Sequence, residues 1–151
     1  MNNFNEQQLE QIKLGENDNL DVSIYSKSYF DYEQMRQIRY GLMHNIDVSI
    51  YAYPYFNNKQ MYQIRNGLEF GLPAIVYAIP YLKEDEMEVI FNVLNIYLYN
   101  NPSLNVELDL KSFKQFYIEF LKKRNIQLTN LYQNIEIIKK DIKKKVKYAK
   151  R

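Results

Sequence analysis

The chain has no cysteine, no tryptophan, one histidine, four glycines and four prolines in its 151 residues. The missing cysteine excludes disulfides and thiolate chemistry, while leaving the redox compartment open. With His44 as the one histidine, the usual nucleophile–base pairs cannot be assembled. The four glycines are dispersed and do not form a phosphate-cradling loop. One acidic cluster, Glu84, Asp85, Glu86 and Glu88, stands at an expected helix start, where the helix dipole favours acids without any metal. Ser23 and Ser49 lie in a repeated DVS triplet, where a hydroxyl is expected to bond locally rather than attack a substrate. No catalytic residue, metal or cofactor is therefore expected. Long apolar runs are also missing: residues 72–81 form the longest, too short for a bilayer and broken by Pro73 and Pro80. The opening MNNFNEQQLEQ has neither the basic cluster nor the apolar run of an export signal, so a cytoplasmic protein without membrane partners is expected.

What the chain has in quantity is aromatic rings, 15 Tyr and 8 Phe, and repetition. Residues 30–55, FDYEQMRQIRYGLMHNIDVSIYAYPY, match residues 4–29, FNEQQLEQIKLGENDNLDVSIYSKSY, at a shift of 26. The same shift forward finds FNNKQMYQIRNGLEFGLPAIVYAIPY at 56–81, and a worn fourth copy begins at Leu82 with LKEDEMEVIFNVLN. Tandem units of this length bury their apolar faces by stacking on one another.

Each copy begins like a helix. Phe4-Asn5, Phe30-Asp31 and Phe56-Asn57 place an aromatic before an N-cap residue, and Gln8, Gln34 and Gln60 complete capping-box spacing. The aromatic and Leu9, Met35 or Met61 then form a hydrophobic staple; Leu82 and Met87 keep it in the fourth copy, where Lys83 is a poor cap. The helix stops at Asn19, Asn45 and Gly71, residue types that tolerate the left-handed conformation. The glycines at 15, 41 and 67 fall inside the last helical turns, which implies close approach by a neighbouring backbone. The second half of each copy, DVSIYS, DVSIYA or PAIVYA, reads as a short helix, with a strand as the alternative.

Two rows of residues bear on how copies meet. Arg39 and Arg65 are expected to pair with Asp21 and Asp47 of the preceding copy, since Phe91 and Pro73 replace both partners together one step later. Tyr25, Tyr51 and Tyr77 form one tyrosine row and Tyr29, Tyr55 and Tyr81 another; rows at repeat spacing are expected to pack. Tyr32, Tyr40, Tyr53 and Tyr62 stand at variable positions and are the candidate anchors for a partner protein.

The fold class expected is all-α: a short α-solenoid of four 26-residue repeats, each a long and a short helix, over residues 4–100. The alternative is a helix-plus-strand repeat. Residues 101–151 are expected to form a capping αα-hairpin, with Asn100-Asn101-Pro102-Ser103 as the break. Leu128, Leu131, Ile135, Ile138 and Ile142 follow a 3-4 spacing and would seal the array or join two copies as a homodimer. The end carries Lys139, Lys140, Lys143, Lys144, Lys145, Lys147, Lys150 and Arg151 against one acid, a charge of +7. The rest, with 12 basic and 17 acidic residues, is −5. Such a basic end suits nucleic acid or an acidic protein groove.

The pattern F-[ND]-x-x-Q-M-x-x-I-R-x-G-L-x-x-[GN]-[LI]-D-V-S-I-Y-A-x-P, best carried by residues 30–55, resembles a short repeat of proteins from bacterial phages, plasmids and other mobile elements. The resemblance covers about residues 4–81 and implies context rather than chemistry. Small proteins of such elements include inhibitors of host defence, among them anti-CRISPR proteins. The expectation is a non-enzymatic protein in the host cytoplasm that occludes a nucleic-acid-binding surface of a defence complex. The alternative is a nucleic-acid-binding accessory protein working through residues 139–151.

Overall fold

The computed structural model describes residues 3–100. Four α-helices are connected by three-residue 3-10 turns: α1 (Glu6–Asn17), α2 (Tyr32–Met43), α3 (Asn58–Glu69) and α4 (Glu84–Asn100). The turns cover Val22–Ile24, Val48–Ile50 and Ala74–Val76. No strand occurs among the described residues, so the DVSIY segments are short helical turns and not strands. The chain divides into two compact units, Met1–Gly71 and Leu72–Arg151. The expected hairpin and the seam from Leu128 to Ile142 lie outside the described residues.

Helix starts follow from local chemistry. Asn5, Asp31 and Asn57 each accept from the backbone N–H three residues on, and Gln8, Gln34 and Gln60 accept in return from the cap backbone. In the fourth copy Lys83 offers no side-chain acceptor, and only the return arm remains, from Lys83 N–H to Glu86 Oε2 at 2.9 Å. Helix stops are equally local. Asn19 and Asn45 adopt φ 55°, and Gly71 adopts φ 70°. Leu20 N–H then reaches Gly15 O at 2.9 Å and Asn19 N–H reaches Glu16 O at 3.1 Å, a Schellman closure repeated by Ile46 and Asn45.

Within the first unit α1, α2 and α3 pack in sequence, α1 on α2 and α2 on α3. On α2, Arg39 reaches back to Gln11 of α1, Gln34 reaches forward to Phe56 O, and Gln37 receives Arg65 of α3. The staple residues Phe30, Met35, Phe56 and Met61 are buried within this packing. In the second unit Leu82 is buried just before α4, and Met87, Val89, Ile90 and Leu94 are buried along it.

The first tyrosine row is core. Tyr25 Oη donates to Gln11 O and Tyr51 Oη to Gln37 O, both at 2.9 Å, tying each 3-10 turn back onto its own helix. Burial raises the Tyr25 phenol to about 12 and pushes Tyr51 and Tyr77 up as well. These phenols explain two glycines. A Cβ at Gly15 would stand 1.8 Å from Tyr25 Oη, and one at Gly41 would stand 2.1 Å from Tyr51 Oη. The close approach is thus made by a tyrosine of the same copy and not by a neighbouring backbone.

Candidate interaction surface

The junctions between helices use a different set of side chains from the pairing expected. Asp21 and Asp47 do not meet Arg39 and Arg65. Their carboxylates accept from the backbone N–H of Ser23 and Ser49 at 3.1 Å and from the same serines' hydroxyls. A partner two residues away needs no long-range ordering, so it captures the carboxylate first. The guanidinium instead reaches a glutamine of the preceding helix: Arg39 Nε donates to Gln11 Oε1 and Arg65 Nε to Gln37 Oε1, each at 3.1 Å.

The capping glutamines also cross the junctions. Gln8 Nε2 donates to Phe30 O at 2.6 Å and Gln34 Nε2 to Phe56 O at 2.7 Å, while their Oε1 atoms hold the caps. An amide can accept and donate at once, which a carboxylate cannot. Glutamine is therefore required at positions 8 and 34. The fourth copy, with Glu86, keeps the accepting arm alone.

The second arm of each arginine is arranged in two ways. At the first junction Arg39 Nη1 faces Asp18 Oδ2 at 3.7 Å, the C-cap acid of α1, and lies 3.4 Å from Met43 Sδ. At the second junction the corresponding C-cap is His44, and the acid has moved to Glu69, four residues after Arg65. Glu69 binds Arg65 and also His44, whose Nδ1 lies 2.7 Å from Glu69 Oε1. Partial burial pushes the Glu69 carboxyl up, but the bonds from His44 and Arg65 outweigh it and hold it below its ordinary value. His44 is thus a C-cap and junction residue.

Of the four tyrosines read as anchors, Tyr40 and Tyr62 come together around the arginines. The Tyr40 ring lies 4.8 Å from the Arg39 guanidinium and 5.5 Å from that of Arg65, and Tyr62 lies 5.5 Å from Arg65. Cation–π contact with both arginines gives Tyr40 a structural reason to be there. Tyr32 is half-buried at the start of α2, its hydroxyl 3.5 Å from Glu33.

Tyr53 belongs to a separate feature. Its ring stacks on Tyr55 with centroids 5.0 Å apart and planes at 7°, and Tyr55 in turn tilts against the buried Phe56 at 4.9 Å. Here the second tyrosine row departs from expectation. Tyr25, Tyr51 and Tyr77 are 0% exposed, whereas Tyr29, Tyr55 and Tyr81 are 60%, 56% and 68% exposed at the same spacing. Both rows hold the repeat period, so periodicity alone did not separate them. The distinguishing signal is position: Tyr29, Tyr55 and Tyr81 each precede the staple residue, Phe30, Phe56 or Leu82, whose side chain takes the inward place.

The basic residues from Lys139 to Arg151 lie outside the described residues. Among the described residues no group of three or more His, Asp or Glu side chains is placed to hold a metal, and no helix is long and apolar enough to cross a membrane. No protein-family model, curated protein or solved structure matches the chain.

Proposed function

We propose that the chain is a non-enzymatic binding protein, a four-copy α-solenoid whose shared residues build the scaffold and whose exposed tyrosines engage a partner protein. The observation that carries this reading is the contrast between the tyrosine rows. One is buried and hydrogen-bonded, while Tyr29, Tyr53 and Tyr55 stand 60%, 41% and 56% exposed on the loops before α2 and α3. Tyrosine anchors offer large amphipathic area at low cost in conformational entropy. A rigid helical pair beneath them lowers that cost further.

The partner class proposed is a host defence complex that handles nucleic acid, with the chain acting as a cytoplasmic inhibitor from a phage or other mobile element. The resemblance of residues 30–55 to repeats of such elements and the acidic body support this. A surface that normally receives phosphates is basic, and an acidic protein carrying tyrosines suits it. The charge segregation, +7 over residues 139–151 against −5 elsewhere, favours a second reading: a nucleic-acid accessory protein using the basic end.

Affinity capture from host lysate, run with the full chain and with a Tyr53→Ser/Tyr55→Ser variant, tests the first reading. A partner retained by the parent and lost by the variant is expected. Electrophoretic mobility shift against salt tests the second. Salt-sensitive DNA or RNA binding that survives the tyrosine changes and disappears when residues 139–151 are removed would replace the first reading with the second.

A further inference from the structure

Four methionines fall among the described residues, and they divide by exposure. Met35, Met61 and Met87 are 0% exposed, whereas Met43, the last residue of α2, is 43% exposed. Its sulfur lies 3.4 Å from Nη1 of Arg39, one helical turn back, and Arg39 is itself buried at the α1–α2 junction. Elsewhere on that guanidinium, Nε donates to Gln11 Oε1 at 3.1 Å and Cζ lies 4.8 Å from the Tyr40 ring centroid. Nη1 is served less well. It meets a thioether, which is a weak acceptor, and the Asp18 carboxylate at 3.7 Å, beyond hydrogen-bond distance.

The next copy shows an oxygen acceptor at this place. Four residues after Arg65 stands Glu69, whose carboxylate binds Arg65 Nη1. Position 43 is the same place one copy earlier, with sulfur where position 69 has oxygen. We propose that Met43 is a modification site for peroxides, and that its sulfoxide supplies the oxygen acceptor that Arg39 Nη1 lacks. In this step a lone pair of Sδ attacks one oxygen of hydrogen peroxide. The S–O bond forms as the O–O bond breaks, and the second oxygen takes the proton of the first and leaves as water. Sulfur is oxidised by two electrons and the peroxide is reduced, so no further reactant is needed.

Methionine oxidation ordinarily disrupts packing, because it places a polar group in an apolar core. At Met43 the polar oxygen arises at an exposed side chain beside a buried cation, and the effect is reversed. A hydrogen bond to a guanidinium is charge-assisted and stronger than one to a thioether. The side chain is unbranched, so rotation about its own torsions brings the oxygen to Nη1 without moving α2. Oxidation thus tightens the α1–α2 junction.

The test treats the full chain with hydrogen peroxide, maps sulfoxides by peptide mass spectrometry and follows stability by urea unfolding. Met43 is expected to oxidise well before Met35, Met61 and Met87. The oxidised chain is expected to fold with an equilibrium constant about fivefold higher than the untreated chain. Met43→Leu removes the sulfur at an exposed position and should show no change on peroxide treatment. Met1 is common to both chains, so the difference between them belongs to Met43. Arg39→Lys replaces the planar fork with a shorter donor, and its oxidation should bring no gain. Equal oxidation of the buried methionines overturns the proposal. So does an oxidised chain no more stable than the untreated one, or a gain that persists in either variant.

Discussion

Glutamine at the third helical position carries two bonds at once, and this sets the residue choice in the first two copies. Gln34 Oε1 accepts from Asp31 N–H at 2.9 Å while Nε2 donates to Phe56 O at 2.7 Å. Gln34→Glu keeps the first bond, removes the second and buries a carboxylate against a carbonyl. A loss of about 2–3 kcal/mol in urea unfolding is expected. The Asp31 and Gln34 pair was legible in the sequence because a capping box is written within four residues. The forward bond spans 22 residues and was not, since repetition shows that a position is fixed without showing what it touches. The same holds for the arginines. Their burial against Gln11 and Gln37 was signalled only by a polar residue recurring on an apolar face.

Gly41 shows a residue fixed by one neighbour. Alanine there normally favours a helix by about 1 kcal/mol, but its Cβ would meet Tyr51 Oη at 2.1 Å and Val48 Cγ1 at 2.7 Å. Gly41→Ala is expected to destabilise, and Tyr51→Phe alone to cost about 1 kcal/mol through the lost bond to Gln37 O. The double variant should cost less than the sum, because removing the hydroxyl opens the space. Strict additivity in thermal or urea unfolding would show that the hydroxyl does not set the glycine.

At the scale of helices, caps, staples and stops were readable from the sequence because each lies within a few residues of its partner. The choice between short helix and strand was harder, as six residues alternating like DVSIYA fit both periods. The 3-10 turn follows from the Asp47 carboxylate binding Ser49 N–H at 3.1 Å and from Tyr51 Oη reaching back to Gln37 O. The two arginine junctions make a direct experiment. Glu69→Met alone strips Arg65 of its acid and should cost about 1 kcal/mol; His44→Asp alone sets two acids side by side. Made together, they copy the Asp18, Arg39 and Met43 arrangement of the first junction and should recover most of the loss. No recovery would mean that the junctions are not interchangeable.

Acid should act at the same junction. The Glu69 carboxyl is held below its ordinary value in the folded chain, so its contribution is full above the ordinary carboxylate range and is lost as pH falls through the lowered value. The stability gap between the parent and Glu69→Gln, measured by urea unfolding from pH 7 to pH 3, is expected to close toward the acid end. A gap that stays constant would remove the carboxylate from the account of this junction.

At the scale of the whole molecule, the copies share both a buried and an exposed tyrosine row, and the proposed binding is placed on the exposed rings. Composition and periodicity gave the helical class, and they gave the buried row Tyr25, Tyr51 and Tyr77. They did not give the exposed row Tyr29, Tyr55 and Tyr81, because inward and outward positions four residues apart repeat with the same period. The charge split between body and end was visible at once, yet charge alone names a field and not a partner.

The most direct measurement compares stability and partner binding in one variant, Tyr53→Ser/Tyr55→Ser. Both rings are exposed, so unfolding should stay within about 0.5 kcal/mol of the parent, while affinity for the captured partner falls at least tenfold. Unchanged affinity in a variant that is as stable as the parent would contradict the assignment of the exposed tyrosines to binding.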